Sequence, residues 1–150
     1  MAKKQTSNSL IWFRREVLHS KAYFKLSGTQ IRVLNELYCK RQVAKTKRVS
    51  NSKGKWVVTN NGEIVLPRIT TAEKLALSES SFTRAIKRLI EVGFVDVAYQ
   101  GGLEAGDMNK YSLSERWKKY GEEDFVKGTF PFSIKKQGFK LNNKLALRSY

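Results

Sequence analysis

The sequence contains only one cysteine and one histidine among its 150 residues. A lone cysteine, Cys39, cannot form an internal disulfide, and its position after Leu37 and Tyr38 in a predicted helix indicates a core side chain. A lone histidine, His19, leaves no Ser-His-Asp or Cys-His set, and the sequence has no cysteine or histidine pairs for zinc. The glycine motifs that bind nucleotide phosphates are also absent. We therefore expect no enzymatic activity, no metal and no cofactor.

Long apolar runs are missing as well. No stretch approaches the ~20 residues of a membrane-spanning helix. The short apolar segment Leu10–Phe13 is interrupted by Arg14 and Arg15, which leaves it too short for a signal peptide. Apolar residues nevertheless make up 41% of the chain, enough for one domain with a core. We expect a soluble, cytoplasmic protein with no membrane partner.

Acidic residues are scarce, with 13 Asp and Glu against 29 Lys and Arg, so the net charge is +16. The excess is uneven: residues 1–60 carry +12 and residues 125–150 carry +6, whereas residues 61–124 carry −2. Such a distribution concentrates polyanions near the protein and releases their counterions on binding. The charge therefore favours a nucleic-acid partner, with solubility alone as the alternative explanation.

The same distribution divides the chain into three parts. Residues 1–26 form a basic N-terminal extension, in which residues 10–26 are expected to form a short strand or helix that packs on the domain. Residues 27–121 form the domain, and residues 42–66 are an insert made of a basic loop and a β-ribbon. Residues 122–150 form a basic aromatic tail, whose aromatic rings either stack on the bases of a single strand or pack back on the domain.

Two segments ahead of the central region have clear patterns. A helix starting at Ser27 and ending near Arg41 has Ile31, Leu34, Leu37 and Tyr38 on one face, with Val33 at its edge. Residues 42–55 are rich in Lys, Arg, Ser and Asn and are expected to form a flexible loop. The runs 56–59 and 63–66 flank Asn-Asn-Gly, which predicts a hairpin between them.

The central region predicts two helices and a second hairpin. Thr70 and Glu73 match a capping box at the start of a short helix. Ser78 caps a second helix over about 79–92, Gly93 ends it in a left-handed conformation, and strands follow at 94–99 and 111–113. The apolar positions of the second helix have the strongest periodicity in the sequence and should pack on the 27–41 helix. They are Phe82, Ala85, Ile86, Leu89 and Ile90.

This order of elements predicts an α+β fold, a winged helix-turn-helix with a three-helix core and a β-hairpin wing. The second helix would then enter the major groove of DNA, although an ordinary amphipathic surface helix remains the alternative. Its predicted DNA-binding residues are Ser80, Ser81, Thr83, Arg84, Lys87 and Arg88. Further predicted contacts are Lys45, Lys47, Arg48, Lys53 and Lys55 of the insert, and Lys110 of the wing loop. Glu104 and Asp107 make that loop itself a poor DNA ligand.

Residues 72–95 resemble the winged helix-turn-helix of bacterial regulators, especially phage and plasmid replication or regulatory proteins. The matching pattern is Ala72-x-x-Leu75-x-Leu77-Ser78-x-x-Ser81-Phe82-x-Arg84-Ala85-Ile86-x-x-Leu89-x-x-x-Gly93-Phe94-Val95. The stretch Tyr111-Ser112-Leu113-Ser114-x-Arg116-Trp117-x-x-Tyr120-Gly121 is similar to phage-type members, so the resemblance spans about 27–121. Ala76 occupies a position where such proteins often have glycine, which predicts a turn without a left-handed residue.

The resemblance implies a sequence-specific binder of double-stranded DNA. Its role would be that of a transcriptional regulator, or of a replication-initiation or accessory factor of a phage, plasmid or similar mobile element. Two alternatives stay open: a non-specific binder of RNA or single-stranded DNA that uses the basic tails, and a protein-interaction module on the same scaffold. The sequence is compatible with a homodimer.

Overall fold

A computed structural model describes residues 11–47, 54–102 and 104–131 of the chain. The fold is α+β, and the described residues form five α-helices, five strands and one 3-10 helix. The helices are α1 (Arg15–Leu18), α2 (Lys21–Phe24), α3 (Gly28–Lys40), α4 (Arg68–Lys74), α5 (Glu79–Glu91) and the 3-10 helix Arg116–Lys119. The strands are β1 (Val43–Lys45), β2 (Trp56–Val58), β3 (Ile64–Val65), β4 (Val95–Tyr99) and β5 (Lys110–Leu113). In this part of the chain no helix combines the length and apolar character needed to cross a bilayer.

The strands form two separate antiparallel sheets. One is three-stranded with the order β3-β5-β4, and the other is the two-stranded pair β1-β2. In the larger sheet Val95 pairs with Leu113, which confirms the predicted hairpin of β4 and β5. Strand β3 lies on the other side of β5, with Ile64 opposite Tyr111. The first hairpin predicted from the sequence, between 56–59 and 63–66, is therefore wrong.

Two asparagines explain why the chain changes sheets between β2 and β3. The Asn60 side chain accepts from the Gln42 amide at 2.7 Å and donates to the Lys40 carbonyl at 3.0 Å, which directs β2 towards β1. The Asn61 side chain instead accepts from the Leu113 amide at 2.7 Å and donates to the carbonyl of the same residue at 3.2 Å. The Asn-Asn-Gly turn thus joins two sheets. It also follows that residues 43–45, predicted as flexible loop, form a strand.

The core lies between α3 and α5, which pack against each other as predicted. All five periodic apolar residues of α5 are buried, and Leu34 and Leu37 of α3 are fully buried. Val33, expected at the edge of this face, is also fully buried. Val17 of α1 and Ala22 of α2 belong to the same buried core.

Both ends of the described chain pack on this core. The rings of Phe13 and Tyr38 lie 4.5 Å apart between centroids, which fastens the N-terminal segment to α3. The guanidinium of Arg116 donates to the carbonyls of Ile90 and Val126, both at 3.0 Å, which ties the C-terminal segment to the end of α5. A Cβ at Gly128 would lie 2.4 Å from the Ile90 carbonyl oxygen, so only glycine fits there.

Three local predictions in the helices are wrong. Cys39 is exposed, since it lies two residues after buried Leu37 and so about 200° around the helix. Thr70 and Glu73 form no capping box, because α4 begins directly after Pro67 and encloses Thr70 in its first turn. Ala76 has a φ of 53°, so the turn between α4 and α5 does use a left-handed residue, although it is not glycine.

Candidate nucleic-acid interface

Helix α5 is fixed at both ends and along one face. At its start the Ser78 hydroxyl accepts from the Ser81 amide at 3.2 Å, the cap predicted from the sequence. At its end Gly93 has a φ of 93°, and a Cβ there would lie 2.6 Å from the backbone nitrogen of Trp117. The buried stripe of apolar residues faces α3. The opposite face of α5 therefore has a defined position relative to the core.

That opposite face presents two cations to solvent. Arg84 and Lys87 are exposed, and so is Ser80 near the helix start. Within the part of the chain that the structure describes, the Arg84 guanidinium has no ion-pair or hydrogen-bond partner. The Lys87 ammonium lies 5.9 Å from the centroid of the Phe130 ring. The C-terminal segment therefore passes beside this face of α5.

The remaining predicted residues of α5 are less free. Thr83 is half-buried, and its hydroxyl donates to the Glu79 carbonyl at 2.9 Å. The Ser81 hydroxyl accepts from Ser78 at 2.9 Å. Arg88 is half-buried and pairs with Glu91 at 3.1 Å. Each of these three side chains already has an internal partner, so fewer of its donor and acceptor positions remain for a ligand.

Three polar contacts hold α4 and the turn that precedes α5. Arg68, the first residue of α4, pairs with Glu79, the first residue of α5, at 2.9 Å. Arg32 of α3 donates to the Leu75 carbonyl at 2.9 Å, just before Ala76. Lys74 pairs at 2.8 Å with Glu36, a buried carboxylate of α3, and this bond raises the pKa of Lys74. The turn is therefore tied to both neighbouring helices.

The loop between β4 and β5 is closed on itself and acidic. Asp107 accepts from the Tyr99 hydroxyl at 3.2 Å and from the Gly102 amide at 3.1 Å, and the first of these bonds raises the pKa of Tyr99. Lys110 pairs with Glu63 at 2.6 Å, and this bond raises the pKa of Lys110. The one predicted cation of the loop is therefore already paired within the protein.

The β1-β2 ribbon carries the second group of predicted residues. Lys45, Lys47 and Lys55 are exposed, and Lys45 lies directly opposite Trp56 in the register of the ribbon. Arg48 and Lys53 lie outside the described residues. Sequence reasoning missed Trp56, whose side chain is 69% exposed. The available signal was a tryptophan directly after Lys53-Gly54-Lys55, but the incorrect hairpin placed it against β3.

The arrangement can present guanidinium, ammonium and hydroxyl groups from α5, and ammonium groups with one indole from the ribbon. Among the described residues, no three His, Cys, Asp or Glu side chains are grouped to hold a metal ion. Comparison with protein-family models, curated proteins and solved structures finds no match to this chain. The exposed face of α5 and the β1-β2 ribbon are therefore the two candidate binding surfaces of the described residues.

Proposed function

We propose that this protein is a winged helix-turn-helix protein that binds duplex DNA with sequence preference through α5. The observation that carries the proposal is the division of α5 into two faces. Phe82, Ile86 and Leu89 are buried on one face, whereas Arg84 and Lys87 are exposed on the other. A helix held in this way presents its cations at fixed positions, which reading of base edges requires.

The order of elements supports the same proposal. Helices α4 and α5 are consecutive, joined by a tight turn, and the β4-β5 hairpin follows directly. Strand β3 completes a three-stranded sheet with the order β3-β5-β4. A helix-turn-helix followed by an antiparallel hairpin is the arrangement in which the second helix enters the major groove.

The dimensions of α5 suit that groove. Its 13 residues span about 20 Å, and a major groove about 12 Å wide admits one helix. Arg84 lies in the first half of the helix, where recognition helices contact base edges, and an unpaired guanidinium can bind guanine through two hydrogen bonds. Lys87, one turn later, is suited to a phosphate or to a second base.

The acidic loop between β4 and β5 is a poor phosphate ligand, because Glu104 is exposed and Lys110 is already paired. We therefore assign the phosphate contacts beyond α5 to the lysines of the β1-β2 ribbon. In this proposal α5 supplies sequence preference and the ribbon supplies much of the affinity. Such a protein would serve as a regulator of transcription or as a replication factor of a mobile element.

Selection of bound sequences from a random duplex pool tests the proposal directly. The full-length protein should enrich a short motif, and affinity for that motif should fall with salt at a slope of about −0.9 per phosphate neutralised. The matched variant is Arg84→Ala, which should keep the fold because Arg84 is exposed and which removes the proposed reading group. An unenriched pool, or a motif that Arg84→Ala leaves unchanged, would contradict the assignment of α5.

A further inference from the structure

The β1-β2 ribbon exposes several large apolar side chains. Trp56 is 69% exposed, Val57 42% and Val43 41%. Within the described residues the Trp56 ring stacks on no other aromatic ring and makes no cation–π contact. Trp56 therefore presents a large flat ring to solvent on the ribbon.

The charged residues near Trp56 in the ribbon are all cationic. Lys45 lies opposite it on the same face, Lys47 follows β1, and Lys55 precedes Trp56 in the strand and projects to the other face. The sequence has no acidic residue between Glu36 and Glu63, a stretch that contains the whole ribbon. A second copy of this chain would bring like charges together at this surface. The charge instead complements a polyanion.

The base of the ribbon is held firmly while its strands project from the core. Asn60 bonds the backbone at both Gln42 and Lys40, and the Thr59 amide donates to the Gln42 carbonyl at 2.8 Å. Further along, the Thr46 amide donates to the Lys55 carbonyl at 2.8 Å. The ribbon therefore holds Trp56 and its neighbouring lysines in one register.

We propose that the β1-β2 ribbon is a second nucleic-acid site that binds unpaired DNA bases, with the Trp56 ring stacked on a base and the lysines on the adjoining phosphates. Phosphate binding alone requires no indole, whereas a flat aromatic ring beside lysines is the combination that holds single strands. The inference rests on the proposed function in that both take DNA as ligand. It adds that the ribbon, whose lysines also contact duplex phosphates in that proposal, stacks the Trp56 ring on an unpaired base where the duplex is opened.

Fluorescence titration of the full-length protein tests the stacking. A Trp12→Phe background leaves Trp56 and the buried Trp117 as emitters. The probe is a thymidine 12-mer, and the control is an abasic 12-mer with the same phosphates and no bases. We expect the 12-mer to quench the exposed tryptophan and to bind at least roughly fivefold more tightly than the abasic strand. Equal binding of the two strands would overturn the inference, because phosphate charge alone would explain it.

Substitutions separate this inference from the proposed function. Trp56→Ala should weaken binding of the 12-mer about tenfold, and Trp56→Phe should restore most of it, because both rings stack. Binding of the selected duplex should change less than twofold in Trp56→Ala. Phe24→Ala, which removes an equally exposed ring of α2, is the matched control and should change neither.

An intact duplex affinity with no effect of Trp56→Ala on the 12-mer refutes the ribbon site alone. Loss of duplex binding to the same extent as 12-mer binding also refutes it, because Trp56 would then serve the duplex.

Discussion

Helix α5 and the β1-β2 ribbon both present cations, but the protein holds them in different ways. Helix α5 contributes five residues to the core, from Phe82 to Ile90, so one of its faces is covered by protein. The ribbon has no buried residue in either strand. It is attached at its base by hydrogen bonds between the Asn60 side chain and the backbone of Gln42 and Lys40. Both elements therefore carry positive charge, but packing against the core orients α5, whereas the core does not cover the ribbon.

This difference suggests a division of labour. Base reading requires side chains held within hydrogen-bond distance of their targets. In the proposed function the buried face of α5 fixes the helix, and its exposed face supplies those side chains. Binding of phosphates and stacking on bases tolerate small movements, because neither depends on one acceptor geometry. Substitutions that loosen α5 should therefore destroy specificity, whereas substitutions in the ribbon should change affinity.

The largest expected effect comes from Leu89→Ala, which removes a fully buried side chain from α5. The cavity should lower the free energy of unfolding by about 2–5 kcal/mol, and specific binding should fail although Leu89 lies on the buried face of α5, opposite the proposed DNA-binding face. Urea or thermal unfolding measures the loss. The matched control is Val57→Ala on the exposed ribbon, which should cost under about 0.5 kcal/mol. Equal losses in the two variants would show that the ribbon is part of the core.

Next in size is Arg84→Ala. Loss of a bidentate contact should cost about 1–3 kcal/mol at one base position and relax the preference there. Lys47→Ala on the ribbon should instead weaken all duplexes about equally and reduce the salt slope by about one. Quantitative binding to the selected motif and its single-base variants distinguishes the two. A changed motif in Lys47→Ala and an unchanged one in Arg84→Ala would reverse the roles given to helix and ribbon.

A smaller effect is expected from Asn60→Ala at the base of the ribbon. Two backbone groups, at Gln42 and Lys40, lose their side-chain partner, which should destabilise the ribbon by about 1 kcal/mol. Faster amide exchange at Thr46, with almost unchanged exchange in α5, is the expected signature. Asn61→Ala, which acts on Leu113 of the larger sheet, is the control and should not accelerate Thr46. Acceleration in both variants would show that the two sheets unfold together.

The sequence was informative where one strong pattern decided the outcome. The periodicity of α5, its Ser78 cap and the glycine at its end predicted the helix and its buried face correctly. The same pattern placed Arg84 and Lys87 on the open face. These features are local, because capping, apolar spacing and a left-handed glycine depend on residues within a few turns.

The errors in strand pairing arose where distant contacts decided the outcome, whereas Cys39, Thr70 and Ala76 were misjudged from local patterns. Asn-Asn-Gly favours a tight hairpin locally, but the bonds from Asn61 to Leu113, 52 residues away, select another partner strand. Trp56 consequently lies on the ribbon instead of the core sheet, which no local pattern could reveal. Val33 is also fully buried, although helical spacing alone placed it at the edge of the apolar face.

The smallest expected effect concerns Ala76, where the structure overturned a local rule about the turn that positions α5. A φ of 53° costs alanine about 1–2 kcal/mol, whereas glycine adopts it freely. Part of that gain is offset because glycine loses more chain entropy on folding. Ala76→Gly should therefore raise the free energy of unfolding by about 0.5 kcal/mol.

Ala98→Gly in β4 is the control. Ala98 is exposed and has no positive φ, so this substitution should lower the free energy of unfolding by about 0.5–1 kcal/mol. Both are measured by urea unfolding. Changes of the same sign would mean that Ala76 is not strained, and the position of α5 would then depend on the Arg32–Leu75, Lys74–Glu36 and Arg68–Glu79 contacts.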